Sequence, residues 1–161
     1  MNSEGPENLS FRRASVDETP ALAELVGRVF DAFVAADFTP QGVMEFRSFI
    51  APEKMAARMA AESTVYVAHS GEALAGMVEL NHPEHIALLF VDQAYQGQGV
   101  ARALLGLCIS EARLHQPGLP EMTVNASLYA VEAYQRLGFE RTGAEQEKNG
   151  LRFVPMRLRL I

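Results

Sequence analysis

The stretch Val91–Leu105, VDQAYQGQGVARALL, decides the fold. An apolar run ends in it, Gly97 and Gly99 follow, and a helical pattern begins at Val100. A strand that turns through glycine into a helix is the arrangement in which a helix N-terminus meets a phosphate. The first helical turn has free N–H groups and a partial positive charge. Glycine lets a bulky anion approach with no Cβ in the way. Two phosphate motifs nevertheless fail here. A loop of the Gly-Lys-Ser/Thr type needs lysine after the glycine, and Gly99 is followed by Val100-Ala101. A dinucleotide fingerprint needs a third glycine or alanine where Arg102 stands, and no suitable acid follows about 20 residues on.

Outward from the turn, the periodicity lays out one domain. LSFRRAS reads as a short edge strand after a polar tail over residues 1–10. Thr19-Pro20 starts a helix with Leu22, Leu25, Val26, Val29, Phe30 and Phe33 at spacings of three and four. Thr39-Pro40 and Pro52 open two shorter helices. TVYVAH and ALAGMVEL are strands joined at Ser70-Gly71-Glu72. HIALLFV is apolar on both faces, as a central strand covered on both sides would be. Val100–His115 is helical, with Leu104, Leu107 and Cys108 facing inward. EMTV is a strand, Ser127–Leu137 a helix capped by Gly138, and FERTG and LRFVPMRLRL are strands joined by a loop with the turn pair Asn149-Gly150. The order predicts an α/β (α+β) domain with a mixed sheet over residues 11–161.

Composition bounds the function. A chain of 161 residues fits one domain, and 48% hydrophobic with 21% charged residues is ordinary for a soluble globular protein. The net charge of −6 argues against a nucleic-acid-binding surface. The single cysteine, Cys108, cannot form an intrachain disulfide. MNSEGPENLS lacks the apolar centre of a signal peptide, and no run approaches the roughly 20 apolar residues that span a bilayer. These features lead us to expect a cytoplasmic protein with neither nucleic-acid nor membrane partners. The four histidines show no metal spacing with cysteine or acid partners, so no metal is expected.

A third reading of the turn fits. Gln96, Gly99 and Ala101 form Q-x-x-G-x-A directly after an apolar strand. This resembles the pyrophosphate-binding signature of the GNAT superfamily of acyl-CoA-dependent N-acetyltransferases, usually Q/R-x-x-G-x-G/A. Downstream, SLYAVEAYQRLGFERTG resembles that family's second signature, with Ala130, Tyr134, Gly138 and Phe139 in the marked places. The element order over residues 11–160 is similar as well. One departure stands out: the family often has asparagine three residues before the alanine, and this chain has Ser127 there, with Asn125 two positions earlier.

The resemblance implies a GNAT-like mixed, mostly antiparallel central sheet with a splayed strand pair and helices on both faces. It implies acetyl-CoA as cosubstrate. The backbone from Gln96 and Gly97 through Gln98, Gly99, Val100, Ala101 and Arg102 would hold the pyrophosphate. The pantetheine arm would pair along Leu89, Phe90 and Val91, with the Leu89 N–H on the thioester oxygen. Ser127 would touch the cofactor, and Arg136 its 3′-phosphate, though both arginines also read as surface residues. Tyr134 would serve the leaving thiolate, or else be a core tyrosine. The base is open between Glu79 and His85, with Glu79 ranked slightly ahead, and His82 stands nearby. The acceptor wall would draw on Phe33, Phe38, Phe46 and Phe49 with Asp31, Asp37 and Glu45. The expected function is acetyl transfer from acetyl-CoA to a primary amine of a small molecule. A protein or peptide amine, or a non-catalytic acyl-CoA-binding module, are the alternatives. Homodimers are common in the family, and the sequence does not reveal one.

Overall fold

The computed structural model describes residues 8–161, so Met1–Glu7 of the expected tail lie outside the described residues. β1 (Leu9–Arg13) includes Leu9 and Ser10, which the composition placed in the tail; they are drawn in because they pair with Ser70 and His69. Thr19 and Pro20 begin α1 (Thr19–Phe33), whose apolar stripe Leu22, Leu25, Val26, Val29 and Phe30 is buried. α2 (Pro40–Phe49) starts where the Thr39 hydroxyl accepts a hydrogen bond from the Gly42 N–H, an N-cap followed by proline. α3 (Pro52–Ala61) again begins at proline and buries Met55.

The sheet follows. β2 (Ser63–Ser70), β3 (Ala73–Asn81) and β4 (His85–Val91) form an antiparallel meander. After α4 (Val100–His115) come β5 (Glu121–Ala126), α5 (Val131–Arg136), β6 (Glu140–Arg141), β7 (Gln146–Lys148) and β8 (Leu151–Arg159). The spatial order is β1-β2-β3-β4-β5-β8-β6, with β7 also on β8. β4 and β5 are the parallel pair, and the other pairings are antiparallel. Side chains alternate across the sheet. Val65, Val67, Met77 and Leu88 pack against α1 and α3 on one face. Ala68, Val78, Ile86 and Val124 pack against Leu104, Cys108 and Ala112 of α4 on the other.

Three local expectations are corrected. In α4 it is Leu105, not Leu107, that joins Leu104 and Cys108 in full burial, because the helix face turned to the sheet includes position 105. The helix expected over Ser127–Leu137 opens with a 3-10 turn at Leu128–Ala130, and α5 begins only at Val131. β7 adds a short strand before the turn. Asn149 and Gly150 both have positive φ (54° and 84°), which makes β7–β8 a tight hairpin of the Asn-Gly type.

Candidate active site

β4 and β5 pair only at His85↔Thr123 and Ile86↔Val124. Beyond Ile86 they part. Opposite β3, the register shifts between Glu79 and Leu80, so that Ala87 is the extra residue of a bulge in β4. From Ala87 to Val91 the β4 edge turned toward β5 therefore has no strand partner among the described residues. This also explains why β4, expected to be covered on both faces, is only half-buried over Leu89–Val91. The gap opens into a cleft of about 1320 Å³, larger than the usual pocket for a drug-sized ligand.

The turn after β4 lies along this cleft. Gly99 is the N-cap of α4 with φ 85°, and Gly97 has φ 79°. A Cβ added at either glycine would meet nothing within 4 Å, so the space above the turn is open. Ala103 N–H donates to the Gly99 carbonyl at 3.1 Å as the first bond of the helix. The N–H groups of Val100, Ala101 and Arg102 thus precede the helical ladder and have no acceptor within it. Side chains brace the turn from behind. Gln96 Nε2 donates to the Val91 carbonyl at 3.1 Å, and Tyr129 Oη donates to Gln96 Oε1 at 3.2 Å. The Tyr129 ring stacks on Phe33 at 4.7 Å. Arg102 donates to the Arg136 carbonyl at 3.1 Å, tying the start of α4 to the end of α5. Arg136 itself pairs with Glu132 at the surface.

The expected site residues divide cleanly. Leu89, Phe90, Val91, Gln96, Gly97, Gly99, Val100, Ala101, Arg102, Ser127, Tyr134, Arg136 and His85 all border the cleft. Gln98 does not; its side chain folds back to the Ala94 carbonyl at 3.3 Å. Glu79 does not either. Its side chain has no exposed surface and receives two hydrogen bonds from Arg58, at 2.7 and 3.0 Å. Arg58 in turn donates to the Phe49 carbonyl at 2.8 Å and lies 3.7 Å from the centre of the Phe49 ring. The geometry favours His85 over Glu79, which the sequence ranked slightly ahead, because His85 borders the cleft while Glu79 is buried, doubly bonded to Arg58 and away from it. Glu79 instead anchors Arg58, and Arg58 holds Phe49 at the cleft wall.

His85 Nδ1 sits 2.8 Å from Thr123 Oγ1, and burial lowers its pKa, so the ring is neutral at neutral pH. Tyr134 is 6% exposed and packs edge-on against Phe139 at 5.2 Å; burial raises its phenol pKa, so the hydroxyl keeps its proton. Of the expected acceptor wall, Phe38, Phe46, Phe49 and Glu45 border the cleft. Asp31 is engaged by Arg47 at 2.6 Å, and Phe33 backs Tyr129. Phe46 stacks on buried Phe30 at 4.2 Å, which fixes its ring. Sequence reading missed Thr123, Tyr129 and Arg58. Tyr129, two residues from Ser127 in the second motif, carried a local signal; the other two are joined to the site only by strand register and a long-range ion pair.

These features meet in the comparisons. Residues 34–160 match the model of the acetyltransferase (GNAT) domain, and the chain belongs to that family of acyltransferases. Its fold is that of a GCN5-related N-acetyltransferase structure from Rhodopseudomonas palustris, with a TM-score of 0.82 and 21% identity over 99% of this chain and 100% of that one. PaiA N-acetyltransferase from Thermoplasma acidophilum, solved with coenzyme A, gives 0.72 at 16% identity over 94% and 98% of the two chains. YncA from Salmonella typhimurium, solved with acetyl-CoA, gives 0.65 at 23% identity over 96% and 95%. A search of curated proteins returned no match.

Proposed function

We propose that this chain transfers the acetyl group of acetyl-CoA directly to a primary amine of a small molecule. The observation that carries the reading is the unpartnered β4 edge running into the open, glycine-lined start of α4. An extended amide chain ending in a pyrophosphate is the ligand that uses both: strand-like pairing along Leu89–Val91, then free N–H groups at Val100–Arg102. Arg102 and Arg136 supply positive charge at that end.

Acetyl-CoA, when bound, supplies the acetyl group as a thioester. The Leu89 N–H would hold the carbonyl oxygen as negative charge develops on it. His85, neutral and fixed through Nδ1 by Thr123, would accept the proton from the incoming amine through Nε2. Tyr134 would donate a hydrogen bond to the leaving sulfur. Its raised pKa makes complete proton transfer to a thiolate uphill, since a thiol's ordinary pKa is about 8.5. Hydrogen-bond stabilisation is therefore the larger part of its role. Binding both substrates side by side contributes the proximity term.

The acceptor end supports a small amine over a protein surface. α2 and the β7–β8 hairpin both border the cleft, and Thr39 N–H joins them by donating to the Gly150 carbonyl at 3.2 Å. A bridge of backbone at that end leaves less room for a folded partner than an open groove would. The test is an acceptor screen with acetyl-CoA that follows free thiol release, alongside thermal unfolding with CoA, NAD and ATP. CoA at about 100 times its Kd should stabilise the fold by about 2.7 kcal/mol, and the other two should not. Equal shifts with all three, or thiol release only with peptides, would overturn the reading.

A further inference from the structure

Outside the cleft, on the α4 face of the sheet, three side chains from distant parts of the chain converge. His82 comes from the β3–β4 turn, and Glu111 and His115 stand one turn apart near the end of α4. One ligand atom from each lies within 4.8 Å of the other two. We propose that His82, Glu111 and His115 form a divalent-metal site suited to zinc.

The distances fit. Donors bound at about 2.0–2.1 Å to a tetrahedral ion stand about 3.3–3.4 Å apart. Glu111 Oε2 is 3.4 Å from His115 Nδ1 and 3.8 Å from His82 Nε2. To bind one ion, His82 Nε2 has to close on Glu111 by a few tenths of an ångström, the two imidazoles have to approach from within 4.8 Å, and His115 Nδ1 has to turn from the Glu111 carbonyl, now 3.1 Å away. Tyr66 donates to the other carboxylate oxygen, Oε1, at 2.9 Å. That bond orients the carboxylate and leaves Oε2 as the ligand atom, the outer support such sites use.

The cluster is also short of positive charge without an ion. Glu111 is 8% exposed and no lysine or arginine pairs with it among the described residues. Its nearest basic neighbours are the two imidazoles, and a buried carboxylate needs a positive partner. His82 Nδ1 is buried with no hydrogen-bond partner among the described residues, while Nε2, the atom facing Glu111, lies 2.5 Å from Thr64 Oγ1, a contact that a bound ion would replace. His115 is half-exposed, which gives an ion a path in and leaves the fourth position to water. Arg13 donates to Thr64 Oγ1 at 3.4 Å, a nearby cation that weakens the site without closing it. Two imidazoles and a carboxylate select zinc or a late transition ion over magnesium or calcium. Bound there, the ion pins the β3–β4 turn to α4. The expectation of no metal rested on sequence spacing; Glu111 and His115 are four apart, but His82 joins them only in the fold.

The test uses untagged full-length protein, stripped with a chelator and titrated with zinc chloride and with cobalt chloride. One zinc per chain should bind at micromolar Kd or tighter, and cobalt should show the visible bands of a four-coordinate site. His115→Ala and His82→Ala should each weaken zinc binding by about 100-fold or more, since even a lost outer-shell partner costs 10–100-fold. His69→Ala, on β2 beside Arg12, should bind like the parent. Zinc at about 100 times its Kd should raise Tm by about 5–10 °C in the parent and not in His115→Ala. His115 is on the exposed helix surface, so its variant keeps the test decisive if His82→Ala fails to fold. No saturable binding up to about 1 mM zinc, or equal binding by parent and His115→Ala, would overturn the proposal.

Discussion

The two ends of the cleft are built on different terms. At the α4 end the groups we propose to bind are backbone: the β4 edge, the Gly97 and Gly99 turn, and three N–H groups. At the α2 end they are side chains held by distant partners, as Phe49 is by Arg58 and Arg58 by Glu79. Backbone recognition needs only a short run of permissive residues, so one stretch of chain can specify it. Side-chain recognition draws on residues far apart in sequence. The first end should therefore be sensitive to conformation, and the second to volume and anchoring.

The sharpest way to break this division is Tyr134→Phe, which lies between the ends. It keeps the ring against Phe139 and removes the hydroxyl. Removing one donor aimed at developing charge should lower turnover with a good amine about 100-fold while CoA affinity stays within about twofold. Steady-state rates and calorimetry on one preparation decide it, and a matching loss of affinity would move Tyr134 to the binding groups. Gly99→Val comes next. At φ 85° a branched side chain opposes the backbone, and it would project into the open space above the turn. CoA affinity should drop about tenfold or more with the far-UV spectrum unchanged. A variant that binds CoA normally would leave the glycine a turn residue only.

At the other end, Gly42→Ala would place a Cβ against the Gly150 carbonyl and push α2 from the hairpin. The amine KM should rise about fivefold, the equivalent of roughly 1 kcal/mol, with CoA affinity unaltered. If CoA binding falls in parallel, the two ends are not separable. The smallest effect near neutrality is in pH dependence. His85 must be neutral to accept a proton, and burial lowers its pKa below the ordinary 6.5. Its contribution to kcat/KM should be flat from pH 8 to 7 and fall only as pH drops through that lowered value. His85→Gln should lack this acid limb. An unchanged profile in the variant would assign the proton to water.

What the sequence made legible follows the same division. Strand, glycine turn and helix were readable because the signals are local: Gln96, Gly99 and Ala101 within six residues, and Ala130 to Phe139 within ten. The splay of β4 from β5 was expected from family likeness alone. Its cause, the bulge at Ala87, leaves no mark in a uniformly apolar strand. Glu79 looked available because it stands near a strand end. Its partner Arg58 lies on α3, and nothing in either segment's pattern announces the pair. His82 looked like a turn residue for the same reason.

The two-pair seam between β4 and β5 has an evolutionary consequence. Thr123 lies opposite His85 in that seam and also touches its ring. One position thus sets how two halves of the sheet are stitched together and how an imidazole is aimed. Drift there cannot retune the aim of the ring without also testing the stitch. Lineages that change amine should accordingly accumulate their substitutions in α2 and the hairpin, where a residue can be replaced without two inheritances being disturbed at once.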